Sequence, residues 1–358
     1  MIGILGAYGE IGKYATNILC KNYKNKIYLM GRNAKSSINK EEFSKNIEII
    51  DIDIFNGEDI KKYLLKCDVL INCSGQTGLL NEAEFKYKGI YIDVNLRHSD
   101  FKTYGKSIFS CGSIPGLSGV LCDFISKEFD EINSLEFYYS GLGKFSHTSA
   151  ADYLDGVLGK DFTKVDDKNQ NYNILNESPN YKLMNQNSQN KSKYYPYFDE
   201  ECKYVMNNLN LKNASFFTMM DGINLSKALE DIRNKYNQNR ELAIKTLVNA
   251  STLDSINFGD QLNYTIEAKG YLNKEKIVKT LILESKNPSR MTGEVLASLV
   301  LAILENKDTN LKTDDMQFFE FEDSKIIVKN LLKNNKYIKL DILDDSIENI
   351  FNFEEGEI

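Results

Sequence analysis

Two histidines, five arginines and no Cys-x-x-Cys pair are found in 358 residues. His98 and His147 cannot build a histidine-rich metal centre, and the six cysteines (Cys20, Cys67, Cys73, Cys111, Cys122, Cys202) are scattered. No metal site is therefore expected, and the thiols read as free and mostly buried in a reducing cytoplasm. No basic stripe interrupts the net charge of −7, which argues against nucleic acid and against an anionic membrane surface. No apolar run approaches the roughly 20 residues that span a bilayer. Met1 leads into a run already broken at Gly6, so no signal peptide is expected.

What is present is concentrated at the start. Residues 1–5 are an apolar run as long as a buried strand. Gly6, Gly9 and Gly12 follow three apart, and Ile11, Tyr14, Ala15, Ile18 and Leu19 recur at helical spacing. Strand, glycine turn and helix form the dinucleotide-binding pattern. Its glycines give a tight turn, a bare backbone beside a pyrophosphate and close helix–strand packing, and the phosphates sit on the helix N-terminus. Gly6, Tyr8, Gly9, Glu10, Ile11 and Gly12 are accordingly expected at a cofactor. A second strand, residues 26–30, ends at Gly31-Arg32-Asn33, about 20 residues past the turn, where an acid would hold a ribose 2′-hydroxyl. A guanidinium at Arg32, with Asn33 and Ser36 close behind, suits a 2′-phosphate instead, so NADP(H) is the expected cofactor.

At 358 residues and 42% apolar composition the chain should form two domains. Strands are predicted at 47–54, 68–73, 89–95 and 106–111, with a helix at 59–66. Asp53 would lie near the adenine, and Cys73, Ser74 and Gly75 would leave room at the sheet's carboxyl edge. The fold class is α/β: a Rossmann-type doubly wound parallel sheet (1–122, completed by a helix at 288–306) with an inserted α+β domain (123–287) on a mainly antiparallel sheet. A C-terminal extension follows at 307–358. Within the insert we predict a strand at 131–140 and a helix opened by a capping box of Ser149 and Asp152. A polar excursion over 160–193 follows, then one amphipathic helix over 225–247 and a hairpin of 262–268 with 277–283. Beyond it, strands are predicted at 317–321 and 337–342 with a helix at 326–332.

Three residues are candidates for chemistry. His98 follows the fifth strand, and Arg97 beside it would hold a substrate carboxylate; a plain surface histidine is the equal alternative. His147 lies in a loop of small residues (Gly141, Gly143, Ser146, Ser149) and is either the proton donor or a histidine near a helix start. Asp93 interrupts an apolar strand and is either paired with a backbone amide or part of the site. Tyr194 would line a substrate pocket, or merely pack.

The ordered set Gly6-x-x-Gly9-x-x-Gly12, Gly31-Arg32, Tyr91-Ile92-Asp93-Val94, Cys111-Gly112 and Ile114-Pro115-Gly116-Leu117 resembles the saccharopine dehydrogenase-like reductases. The likeness extends to Thr292-Gly293. It implies an NADP-binding Rossmann domain, an inserted domain for substrate and homodimer formation, and hydride transfer at a C–N or related bond of a small molecule, free or carrier-bound. Two other nucleotide-binding patterns fail. None of the 21 tyrosines has lysine four residues later, as a short-chain dehydrogenase requires, and no Gly-Lys-Ser/Thr follows the turn, as a P-loop requires. Arginine is too scarce for a product with three carboxylates, which argues against saccharopine itself. The expectation is an NADPH-dependent reductase of a C=N or neighbouring unsaturated bond. An opine-type dehydrogenase joining an amine to an oxo acid, and a non-catalytic NADPH-binding sensor or scaffold, stay open beside it.

Overall fold

The computed structural model describes residues 1–43, 46–75, 87–95, 106–158, 173–174, 195–220, 222–305, 315–316 and 324–352. The chain divides into two units, Met1–Leu121 with Ser289–Lys336, and Cys122–Pro288 with Tyr337–Ile358.

The first unit comprises β1 (Ile2–Leu5), α1 (Glu10–Asn22), β2 (Ile27–Gly31), α2 (Ala34–Ser37), β3 (Ile47–Asp51), α3 (Gly57–Tyr63), β4 (Val69–Asn72), β5 (Ile90–Asp93) and β6 (Lys106–Ile108), with strands and helices alternating as far as β4. Strands β1, β2, β4 and β5 are short, mostly apolar and nearly wholly buried, as a sheet covered on both faces demands, whereas β3 at the sheet edge is only partly buried. They pair in parallel in the order β6-β5-β4-β1-β2-β3, and a two-residue strand at Asp315–Met316 extends the β6 edge. The order runs outward in both directions from β1, so a switch point opens between β1 and β4 at their carboxyl ends. In doubly wound sheets that is where ligands bind.

Leu5, Met30, Ile50, Leu64, Leu70, Tyr91 and Phe109 form one core against this sheet. A helix returning from the distant part of the chain, Pro288–Glu305, is buried nearly all round from Met291 to Ile303, as an interior helix is. Gly293 lets it seat on α1, because a Cβ there would lie 2.5 Å from the Ile11 carbonyl oxygen. Of the C-terminal stretch, the helix Ser324–Asn334 belongs to this unit, and Asn22 Nδ2 donates to Asn334 Oδ1 at 2.9 Å. The expected strand at 317–321 lies outside the described residues.

The second unit is α+β. Helix α4 (Leu117–Ser126) carries the chain into it, and β7 (Glu131–Leu142) runs longer than the predicted strand. Helix α5 (His147–Leu158) precedes β8 (Asn173–Ile174), β9 (Tyr195–Pro196), α6 (Glu200–Asn208) and β10 (Asn213–Met220). The expected capping box shifts back by three residues. Ser149 N donates to Ser146 Oγ at 3.1 Å and Ser146 N to Ser149 Oγ at 2.8 Å, so Ser146 and Ser149 make the reciprocal pair and the helix starts at His147. Apart from the two residues of β8, the polar excursion at 160–193 lies outside the described residues.

The single helix expected over 225–247 is in fact three: α7 (Ile223–Glu230), α8 (Ile232–Gln238) and α9 (Arg240–Phe258). Asn239 breaks the run by capping α9, its side chain accepting from Leu242 N at 3.1 Å. Asp254, wholly buried on α9, holds the start of α7 by accepting from Leu225 N at 2.7 Å and Asn224 N at 3.1 Å. Strands β11 (Gln261–Leu272) and β12 (Glu275–Ser285) form a hairpin longer than predicted. Its two-residue turn puts both Asn273 and Lys274 at positive φ, 52° and 69°, the twist that suits tightly coupled antiparallel strands. The sheet runs in the order Lys339–Leu343, β12, β11, β7, β10, β8, with β9 also on β10. Its β7–β10 and β10–β8 pairs are parallel and the remainder antiparallel.

Candidate functional site

The glycine turn sits at the switch point, and its three glycines differ in what surrounds them. Gly6 has φ +72°, and a Cβ there would meet the Cys73 carbonyl oxygen at 2.7 Å, so only glycine turns tightly beside β4. Gly12 lies against the turn itself, where a Cβ would stand 2.2 Å from the Gly6 carbonyl oxygen. Gly9 is the N-cap of α1, and its Cβ would meet a single atom, Gly6 O at 3.2 Å. The first two are filled by protein; the third opens away from it. Helix geometry leaves the first-turn amides without intrahelical acceptors. Those of Glu10, Ile11 and Gly12 have none among the described residues. Bare backbone, free N–H groups and the positive end of a 13-residue helix together suit a pyrophosphate.

At the end of β2 the Tyr8 ring lies on Gly31, and Arg32 projects exposed, with no partner for its guanidinium among the described residues. The turn behind it is fixed: Lys35 N donates to Asp51 Oδ1 at 2.9 Å and Ser36 Oγ to the Asn33 carbonyl at 3.1 Å. Asp53 follows β3, exposed, its carboxylate accepting from Phe55 N at 2.9 Å.

Between β4 and β5 lies a buried polar cluster that the sequence reading found only in part. Asn72 and Asp93 are register partners, both without exposure, and Asn72 Nδ2 donates to Asp93 Oδ2 at 2.9 Å. The Tyr91 hydroxyl donates to the same carboxylate, and Asn95 N donates to Asp93 Oδ1 at 2.9 Å. Burial first, and the Asp93 charge second, push the Tyr91 phenol well above its ordinary range. The same two causes raise the Cys73 thiol, so it stays protonated. Ser74 N and Oγ both donate to Asn72 Oδ1, at 3.0 and 2.6 Å, and Gly75 turns the chain with φ +71°. Tyr91 and Asp93, two apart on one strand, share a face; that spacing was the available signal for Tyr91. The turn beyond β6 is held by Ser113 N donating to Thr292 Oγ1 at 3.3 Å.

No family model matches the chain, and no curated protein matches it. Among solved structures, apo saccharopine dehydrogenase (L-Glu forming) from Saccharomyces cerevisiae superposes with a TM-score of 0.64 at 12% identity, over 96% of this chain and 99% of that one. The chain has the saccharopine dehydrogenase fold. Two weaker likenesses span less of the fold. An engineered D-amino acid dehydrogenase gives a TM-score of 0.43 at 14% identity over 88% of this chain and 92% of that one. The DAP dehydrogenase of C. glutamicum gives 0.37 at 13% over 82% and 84%.

In the second unit of the fold, His147 opens α5, and its Nε2 lies 3.0 Å from Glu241 Oε1 on the first turn of α9, both side chains half-exposed. His98, Arg97 and Tyr194 lie outside the described residues. Among the described residues no group of acidic, histidine or cysteine side chains is arranged to hold a metal, and no helix is long and apolar enough to cross a membrane.

Proposed function

We propose that the chain is an NADP(H)-dependent oxidoreductase that reduces a C=N or related unsaturated bond of a small molecule in amino-acid or secondary metabolism. The observation that carries this reading is the division of labour at the glycine turn, with Gly6 and Gly12 closed by protein and Gly9 open beside three free amides. The amides of Glu10, Ile11 and Gly12 would hold the pyrophosphate. Arg32 and Ser36 would take the 2′-phosphate, a charge-assisted contact for the guanidinium. Cys73, Ser74 and Gly75 would border the crevice, and Asp53 the adenosine. The bound cofactor would supply hydride, leaving the protein to orient substrate, exclude water and deliver a proton. His147 Nε2 is our candidate for that proton, and Arg97, with His98 and Tyr194, for the substrate pocket. The fold supports the same reading at the level of architecture.

Titrating the purified protein with NADPH and NADH tests the cofactor. Following NADPH consumption with imines, enoyl thioesters and pairs of oxo acid with amine tests the reaction. Turnover confined to the oxo acid and amine pairs would favour the opine-type reading, and tight NADPH binding without turnover would favour a sensor or scaffold. Absence of binding to either cofactor would overturn the proposal.

A further inference from the structure

Gly31 closes β2 level with the glycine turn, since Met30 before it pairs with Leu5. Its backbone lies outside the left-handed region, so nothing in the main chain demands glycine there. The demand comes from a side chain. A Cβ built on Gly31 would stand 2.3 Å from Tyr8 Cε1 and 3.0 Å from Tyr8 Cδ1, well inside the roughly 3.5–4 Å at which carbon atoms rest. Position 31 is also the end of the strand where dinucleotide folds selecting a ribose 2′-hydroxyl carry their acid. The nearby carboxylate of Asp51, register partner of Gly31, accepts from the Lys35 amide at 2.9 Å and so serves the turn.

We propose that Tyr8 is a specificity-determining residue: its ring, seated on the bare Cα of Gly31, keeps a carboxylate out of the strand end and leaves Arg32 to select the adenosine 2′-phosphate. The inference rests on the NADP(H) reading above. Tyr8 lies within the glycine turn, so one short segment both bares the backbone for the pyrophosphate and closes the acid position. The ring is 39% exposed and can be displaced. Ring and carboxylate therefore compete for one space, and the acid gains its full effect only when the ring is removed.

Four full-length proteins decide the matter: wild type, Gly31→Asp, Tyr8→Ala and the double variant, each titrated with NADPH and with NADH by cofactor fluorescence. Gly31→Asp alone is expected to lose NADPH affinity tenfold or more while gaining less than threefold for NADH. The double variant should gain at least tenfold for NADH over wild type. An equal NADH gain in Gly31→Asp and the double variant would overturn the role of Tyr8, as would a folded double variant with no gain. Wild type binding NADH as tightly as NADPH would instead remove the cofactor reading. A second measurement needs no cofactor: Gly31→Ala should lower the melting temperature when Tyr8 is present and leave it unchanged in a Tyr8→Ala background. Equal shifts in both backgrounds would show that the ring and position 31 do not compete.

Discussion

Asn72 donates to Asp93 across two neighbouring parallel strands, at 2.9 Å and with neither residue exposed. With Tyr91 and the Asn95 amide also donating, the Asp93 carboxylate is enclosed by hydrogen-bond donors. Asp93→Ala would remove the acceptor these groups share, although Asn72 Nδ2 keeps the Tyr91 hydroxyl oxygen at 2.9 Å, and should cost about 1–3 kcal/mol of stability, with Asp93→Asn costing less. Denaturant melts of both variants check this. Lost turnover at unchanged stability would mean that Asp93 acts in the chemistry instead.

Gly9 and Gly12 should separate binding from folding. Gly9→Val places its bulk on the open side of the turn and should abolish cofactor binding at little cost to the fold, whereas Gly12→Ala drives a methyl into the Gly6 carbonyl and should destabilise the first unit. Circular dichroism beside a binding titration tells the two apart. Retained binding in Gly9→Val would reduce the turn to a structural role.

Arg32→Ala should weaken NADPH by about 1–3 kcal/mol, the size of a charge-assisted contact, and leave NADH nearly unchanged. Calorimetric titration of both cofactors reads the difference directly.

Glu294 gives a pH dependence. Burial raises its carboxyl above the ordinary value, against the opposing pull of Arg290, whose Nε donates at 2.6 Å. A raised native-state value means that the folded protein binds the proton more tightly than the unfolded chain. The stability from this group is therefore complete below the ordinary carboxylate range and is lost as pH rises through the raised value. Wild-type stability minus that of Glu294→Gln should fall across that interval and be flat above it. Chemical denaturation at stepped pH measures this, and a level difference would refute it.

His147→Ala should lower kcat by about 10²–10⁴-fold with NADPH affinity intact, the usual size of general acid catalysis. Its exposed contact with Glu241 is worth only about 0–1 kcal/mol, so stability should hardly move. Near-normal turnover would transfer the proton to a tyrosine, a water or the substrate.

The parallel sheet was legible because most of its strands are short apolar runs and β1, β2 and β3 are each followed by a helix, a signal carried by neighbouring residues. The glycine turn was legible for the same reason, since its spacing is local, although the crowding of Gly6 by the Cys73 carbonyl comes from the end of β4. Tyr91 escaped because a tyrosine in an apolar strand reads as packing, and only its pairing with Asn72 and Asp93 makes it polar. The break between α8 and α9 turns on Asn239, whose side chain caps α9 at Leu242 N against a periodicity that continues through it. The parallel pairing of β7 with β10 joins residues about 80 positions apart, which no local pattern encodes.

Neither unit is continuous in the chain. The helix Pro288–Glu305 belongs almost wholly to the first unit, yet it is made after nearly all of the second. On a ribosome adding about 5–20 residues per second, β1 must wait on the order of tens of seconds for it. Strand Lys339–Leu343, which covers the free edge of β12, arrives later still. The nascent chain thus carries an incomplete first core through most of its synthesis and an open β12 edge from Ser285 until Lys339–Leu343 is made, and its yield in a cell should depend on chaperones more than the stability of the finished fold would suggest.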